Sequence, residues 1–432
     1  MKQECHGASM PATMTIPAAD PAGPSYAGHQ PLARKVLILL ALVTSLAPFS
    51  VDLYLPSLPD LRLDLHASVQ ASQLTVTVCV LGLAFGQLIA GTVTDALGRR
   101  TPLLAGMSVW CVATFCCALV PSVETLTAAR FVQGTCAGIG MAIAPAVISD
   151  LDGGDLVKHL SRMLLIIAVV PVLAPTVGGF MLQMASWRGV FMILAGVGAA
   201  LTAVVFFLLP ESLAPSHRTP LDLGGAASAN RALIADREFV IPALVCGVSF
   251  GVLFAYISNS PFIFRDFYNL SATQYGTLFG FNAGGLILGM QLSSLVVNRF
   301  GARRAQVTAL GAGTAAALLL LFFSRTPSLG LTGVAVALFF VLAATGLSIP
   351  VASGAAIGMS HGASGRASGL LGAMQFGFGG VVGTLSTIAG ATHGAFPLAV
   401  VATTCLAISL VVAVAGGLRY DRAAAAASAD LA

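Results

Sequence analysis

"GTVTDALGRR", residues 91–100, links two apolar runs through one tight turn. Gly98 suits a turn that other residues adopt only with strain, and Gly91 allows a close helix contact. Asp95 is placed to pair with Arg99, Arg100 or a facing helix N-terminus. The flanking runs, 73–94 and 101–121, each have the length of about 20 apolar residues that crosses a bilayer. A second stretch of the same build, "SLVVNRFGAR", stands at 294–303 with its loop glycine at the same place.

Working outward, twelve such runs can be counted: 36–57, 73–94, 101–121, 125–148, 163–183, 187–209, 239–259, 274–297, 305–324, 328–351, 367–390 and 396–418. Of 432 residues, 57% are hydrophobic and 9% charged, against about 25% charged in soluble domains. The mean hydropathy is +0.91. This is the composition of an all-α integral membrane protein. With both ends in the cytoplasm, sixteen Lys and Arg residues fall on that side and four (Arg62, Arg188, Arg265 and Arg325) on the other. That asymmetry predicts the orientation, and with it a multi-pass protein of a bacterial inner membrane. The net charge of +4 is therefore a topology signal, and no nucleic-acid partner is expected.

Seven of the eight cysteines lie inside predicted spans, which is no disulfide framework, and no metal-ligand spacing occurs. The seven histidines are in tails, loops or loop edges, so no clustered acid, base and nucleophile set supports an enzyme.

The longest polar connection, 210–238, separates six spans from six. The expected organisation is a disordered N-terminal tail (1–34), a six-helix bundle (35–209), a cytoplasmic linker (210–238), a second six-helix bundle (239–418) and a C-terminal tail (419–432). Internal repetition supports the division. "FSVDLYLP" (49–56) aligns with "FAYISNSP" (254–261), and "RFVQGTCAGIGMAIAPAVI" (130–148) with "FFVLAATGLSIPVASGAAI" (339–357). These alignments set Asp52 against Ile257, Arg130 against Phe339 and Asp95 against Asn298, so at these positions only the first half is charged. Two six-helix halves built as parallel repeats, binding at the mid-membrane interface and rocking between access states, form a known class of secondary transporter.

Asp52 and Arg130 are the only deeply placed ionisable groups. Such groups face a cavity or a partner, and the two fall at similar depth. Desolvation and a neighbouring arginine would pull the proton of Asp52 in opposite directions, which makes it a candidate proton carrier with Arg130 tuning it. The competing reading is a polar end to the first span before Pro56.

"GTVTDALGRR" at this loop of a twelve-span chain resembles the signature of the major facilitator superfamily, and "RFVQG" resembles its fourth-helix motif. Pro171, Pro175, Gly178 and Gly179 in "VVPVLAPTVGGF" resemble its antiporter motif, although Val170 and Ala174 stand where two further glycines are usual. Within the superfamily, "DLYLPSLP", "APTVGG", "SFGVLFAYISNSPF" and "ASGLLGAMQFGFGGVVG" are similar to segments of the Bcr/CflA drug:proton antiporters. The resemblance covers nearly all of 34–420. It implies the major facilitator fold and export of bicyclomycin-, chloramphenicol- or sulfonamide-like molecules in exchange for protons. The proton gradient would be the energy source, with no cofactor. One departure is Ser149 before Asp150, where that group tends to have arginine; Asp150 can still join the cytoplasmic clasp.

A substrate cavity lined by Tyr54, Gln87, Phe254, Tyr256, Asn282, Gln375 and Phe376 is expected, because pockets mix aromatic walls with a few polar groups. "LPESL" (209–213) reads as a generic helix exit. The expected partners are a small molecule, protons and lipid, for a chain acting as a monomer. A proton-coupled metabolite symporter or facilitator is the main alternative, and a non-transporting membrane receptor a remote one.

Overall fold

A computed structural model describes residues 34–151, 156–326, 330–359, 364–388 and 394–415; the two expected tails lie outside them except for Arg34, which opens the first helix. The described residues form α1 (Arg34–Asp52), α2 (Leu58–Asp64), α3 (Val69–Leu97), α4 (Arg100–Leu119), α5 (Val123–Leu151), α6 (Leu156–Met181) and α7 (Trp187–Leu208) in the first half. A linker helix, α8 (Leu223–Ala235), precedes α9 (Arg237–Pro261), α10 (Ala272–Phe300), α11 (Ala302–Phe323), α12 (Gly330–Gly358), α13 (Ser364–Ile388) and α14 (Phe396–Ala415). Eleven of the described helical spans are long and apolar enough to cross a membrane, and a further apolar stretch, Val169–Met181, closes α6. The chain is an all-α, multi-pass membrane protein.

The first span of each half ends irregularly. After Asp52 a short 3₁₀ turn at Leu55–Ser57 connects α1 to α2, and after Pro261 the chain widens into a π-turn over Phe262–Phe267. Each half then turns through a residue with positive φ (His66 or Asn269) into a serine that caps the next helix. The Oγ of Ser68 accepts from the Ala71 N–H, and that of Ser271 from the Gln274 N–H, satisfying helix-end donors that otherwise lack partners.

Helix pairing is also duplicated. In lipid there is no hydrophobic force between helices, so small residues that let backbones touch direct association. A Cβ on Gly82, Gly86 or Gly138 would lie 2.5, 2.1 or 2.4 Å from the carbonyl oxygen of Phe131, Thr135 or Leu83, which locks α3 against α5. On Gly285, Gly289 or Gly346 it would lie 2.6, 1.9 or 2.1 Å from that of Phe339, Ala343 or Leu286, which locks α10 against α12. These matched contacts pair Phe131 with Phe339. The ungapped alignment is therefore corrected by one residue in this helix: Arg130 stands opposite Leu338, not Phe339.

The halves meet along α3 with α13 and α6 with α10. Gly178 abuts the Leu53 carbonyl, and the adjacent Gly179 abuts that of Ala272 at the start of α10. Two consecutive glycines thus hold α6 against the first span on one side and the second half on the other. Pro171 and Pro175 lie inside the same helix, a turn or two earlier.

Candidate functional site

Asp52 is the last residue of α1, with 3% of its surface exposed. Its Oδ1 is enclosed and accepts no hydrogen bond. Burying a charge without a partner is costly. Asp52 is close enough to Cys79, and to Tyr256 and Tyr275 of the second half, to act on them electrostatically.

Arg130 is fully buried in α5 and does not pair with Asp52. Its Nη1 donates to Gln133 Oε1, and Gln133 Nε2 donates to Thr114 Oγ1 at 2.8 Å. The guanidinium carbon lies 4.3 Å from the centroid of the Tyr54 ring and 5.7 Å from that of Phe191. A desolvated cation over aromatic faces gains about 2 kcal/mol, which is why the arginine turns to the rings. Its Nε and Nη2 have no acceptor. The two groups expected at similar depth, with Arg130 tuning Asp52, form no ion pair and are each enclosed in the first half.

Each of the seven expected substrate residues has its own contacts. Tyr54 sits under Arg130, and its hydroxyl lies 3.0 Å from Thr75 Oγ1, inside the first half. The Tyr256 hydroxyl accepts from Asn282 Nδ2 at 3.2 Å, and its ring stacks on Phe279. Phe254 and Phe376 pack with Phe250 at 5.1 to 5.9 Å between centroids. Gln375 Nε2 reaches Cys246 Sγ at 3.0 Å and Ser353 Oγ at 3.3 Å. Gln87 Nε2 reaches Met141 Sδ, while its Oε1 lies over Gly372 of α13. Tyr54, Tyr256 and Asn282 are buried in these contacts; Gln87 and Gln375 are half-buried.

At one end of the bundle the "GTVTDALGRR" turn forms a clasp. Gly98 has φ +89°, which favours glycine, and its α-carbon faces the Glu211 carboxylate, 2.6 Å from where a Cβ would stand. Arg99 Nη1 pairs with Asp95 Oδ1 at 2.6 Å, and its Nε with Asp150 Oδ2 at 3.1 Å. Ser212 Oγ also donates to Asp150. Arg100 does not pair with Asp95; it donates to the Phe206 carbonyl at 2.6 Å and lies over that residue's ring. Gly91 faces open space rather than a neighbouring helix, a correction to its expected role.

Glu211 is the residue that sequence reasoning missed. Its carboxylate accepts from the backbone N–H groups of Arg99 (2.8 Å) and Arg100 (3.2 Å), where α4 begins, and lies 3.8 Å from Arg218. Partial burial alone would raise its pKa; the N–H groups of Arg99, Leu213 and Arg100, with the Arg218 charge, outweigh that and hold the carboxyl below its ordinary value. The signal was the acid in "LPESL", whose partner turn is over a hundred residues earlier in the chain.

At the opposite end, ion pairs cross between the halves. Arg265 Nη1 meets Asp60 at 2.8 Å, and Arg62 meets Asp266 at 3.3 Å. Arg265 also donates to the Pro56 carbonyl. In the register that aligns 49–56 with 254–261, Asp60 and Arg265 are equivalents, so the two first spans clasp each other at matching positions. Just below, Gln73 Nε2 donates to Asn259 Oδ1 at 3.1 Å and to the Ser258 carbonyl at 3.2 Å, sealing α3 against α9.

Residues 40–384 match the family model of the Major Facilitator Superfamily. The chain is 34% identical over 406 residues to the MFS-type transporter YdgK of Bacillus subtilis (strain 168), covering 91% of this chain and 96% of that one. It is 29% identical to a bicyclomycin resistance protein homolog of Haemophilus influenzae, covering 81% of this chain and 88% of that one. Among solved structures, that of the nucleoside transporter NupG superposes with a TM-score of 0.70 at 14% identity, covering 88% of this chain and 98% of that one, a likeness of fold alone. Two repeated six-helix halves, the Gly98 clasp and these matches lead to one conclusion: the chain belongs to the major facilitator superfamily of membrane transporters.

Proposed function

We propose that the protein exports small, weakly polar antibiotic-like molecules in exchange for protons, by alternating access. Asp52 is the proton carrier. The observation that carries this reading is a buried carboxyl beside the joint between the halves, one of whose oxygens, Oδ1, is enclosed and unpartnered. A carboxyl with no fixed countercharge is stable in such a place only when it can shed its charge, and a proton does that reversibly.

Gly178 on Leu53 and Gly179 on Ala272 couple the backbone beside Asp52 to the second half, so a change in charge at Asp52 bears on how the halves sit. With both termini cytoplasmic, as the arginine distribution predicts, the Asp60–Arg265 and Arg62–Asp266 pairs close the outer side. A proton taken from outside and a drug taken from inside then favour different states, which yields antiport. The relative named for bicyclomycin resistance supports antibiotic-like cargo.

The test is substrate-induced proton movement in everted membrane vesicles with chloramphenicol-like, bicyclomycin-like and sulfonamide compounds, for wild type and Asp52→Asn. Lumenal alkalinisation in wild type, lost in the variant at equal protein level, supports the proposal; a variant that matches wild type places the carrier elsewhere.

A further inference from the structure

The two turns that the repeat makes equivalent share a backbone and differ in their charges. Gly98 and Gly301 have φ +89° and +80°. In the first turn the arginines are occupied: Arg99 by Asp95 and Asp150, Arg100 by the Phe206 carbonyl, with the Glu211 carboxylate on the backbone where α4 begins.

In the second turn Asn298 stands where Asp95 does, and Arg299, Arg303 and Arg304 are all exposed. Among the described residues none of the three forms an ion pair. No other six-residue window of the described chain holds three arginines. Beside them are large apolar side chains: Phe300 is 52% and Leu295 65% exposed, and Arg299 lies 5.7 Å from the Phe300 ring centroid. All five residues are in the last turns of one spanning helix and the first turn of the next.

We propose that this turn binds the headgroup of an anionic phospholipid. The positive charges of arginines at a membrane surface attract phosphate headgroups. The adjoining Phe300 and Leu295 require an occupant that is apolar next to its charge, which an inorganic ion is not. The first turn cannot take this role, because its own carboxylates already neutralise it. At about 1 kcal/mol per arginine near a membrane surface, three arginines are worth roughly a hundredfold in affinity.

The experiment titrates purified, delipidated full-length protein in neutral detergent with fluorescent phosphatidylglycerol, and with fluorescent phosphatidylcholine as the uncharged counterpart. The expected result is saturable binding of phosphatidylglycerol only. It weakens about a hundredfold in Arg299→Gln/Arg303→Gln/Arg304→Gln and about fivefold in Arg303→Gln alone. The triple lysine variant retains it, and Arg231→Gln/Arg237→Gln, which removes two arginines elsewhere, leaves it unchanged. The single variant and the lysine variant carry the test if the triple glutamine variant fails to fold.

Three results would overturn the proposal. Equal weakening by the Arg231/Arg237 variant would mean a general charge effect. Loss in the lysine variant as large as in the glutamine one would mean that charge is not what binds. Displacement of the lipid by equimolar inorganic phosphate would make this a free-phosphate site.

Discussion

Among its buried polar groups the first half holds two ionic ones: Asp52 with an unpartnered oxygen, and Arg130 over the Tyr54 ring. In the second half the equivalent positions are Ile257 and Leu338, and buried polarity is neutral. Asn282 donates to Tyr256, Gln306 to Ser348, and Asn259 to Ser386. The backbone contacts nevertheless match, glycine for glycine, between α3/α5 and α10/α12. Scaffold and chemistry are therefore separable. The duplicated part depends on close backbone approach, which tolerates only glycine at a few positions; the divergent part depends on which half holds groups whose charge can change.

The largest expected effect tests the shared scaffold. Gly86→Leu and Gly289→Leu each force a Cβ to within about 2 Å of a facing carbonyl oxygen, a clash that side-chain repacking cannot relieve. Both should abolish accumulation of folded protein, read by size-exclusion chromatography of a fluorescent fusion. Tolerance of one and not the other would break the equivalence of the halves.

Next in size, Ile257→Asn should leave drug-driven proton exchange within about twofold of wild type, whereas Asp52→Asn should abolish it. Vesicle assays of the pair measure how one-sided the coupling is, and loss in both would make the comparison a matter of packing. For Arg130→Gln, which leaves the Tyr54 and Phe191 rings without their cation, thermal unfolding should fall by about 2 kcal/mol or more. Leu338→Gln, its equivalent in the second half, tests whether this is peculiar to the first.

Smaller effects belong to the ends of the bundle. Glu211 is held below its ordinary pKa in the folded protein, so its contribution is complete above about pH 4.3 and is lost as pH falls through the folded value. Glu211→Gln should lower the melting temperature near pH 7, and by less at a pH below the folded value, where wild type has lost the same contact. An equal effect at both values would remove the carboxylate from the clasp. The smallest change is expected at the Asp60–Arg265 pair, since partly exposed ion pairs are worth about 0.2–1 kcal/mol. Asp60→Arg should raise outward accessibility about two- to fivefold by cysteine labelling, and the swap Asp60→Arg/Arg265→Asp should restore it.

The spans, the division at the linker and the Gly98 turn were legible in the sequence because hydrophobic length and a positive-φ glycine are local signals. The burial of Asp52 was legible because it stands inside an apolar run. What was not legible depends on which distant surface a side chain meets. Arg130 turns to the Tyr54 and Phe191 rings rather than to the carboxylate at similar depth, and depth alone cannot separate these. Glu211 reaches the start of α4 across the whole first half, so "LPESL" carried no local mark of it. Gly91 looks like a packing glycine and faces open space. The one-residue error opposite Arg130 arose because small residues recur closely enough in α5 and α12 to align in two registers, which only the facing carbonyls distinguish.

The most direct test of the charged half's role is proton release from purified protein in weakly buffered detergent solution when a transported drug is added. The account predicts a measurable release from wild type, none from Asp52→Asn, and wild-type release from Ile257→Asn. Undiminished release from Asp52→Asn that still binds the drug would contradict it.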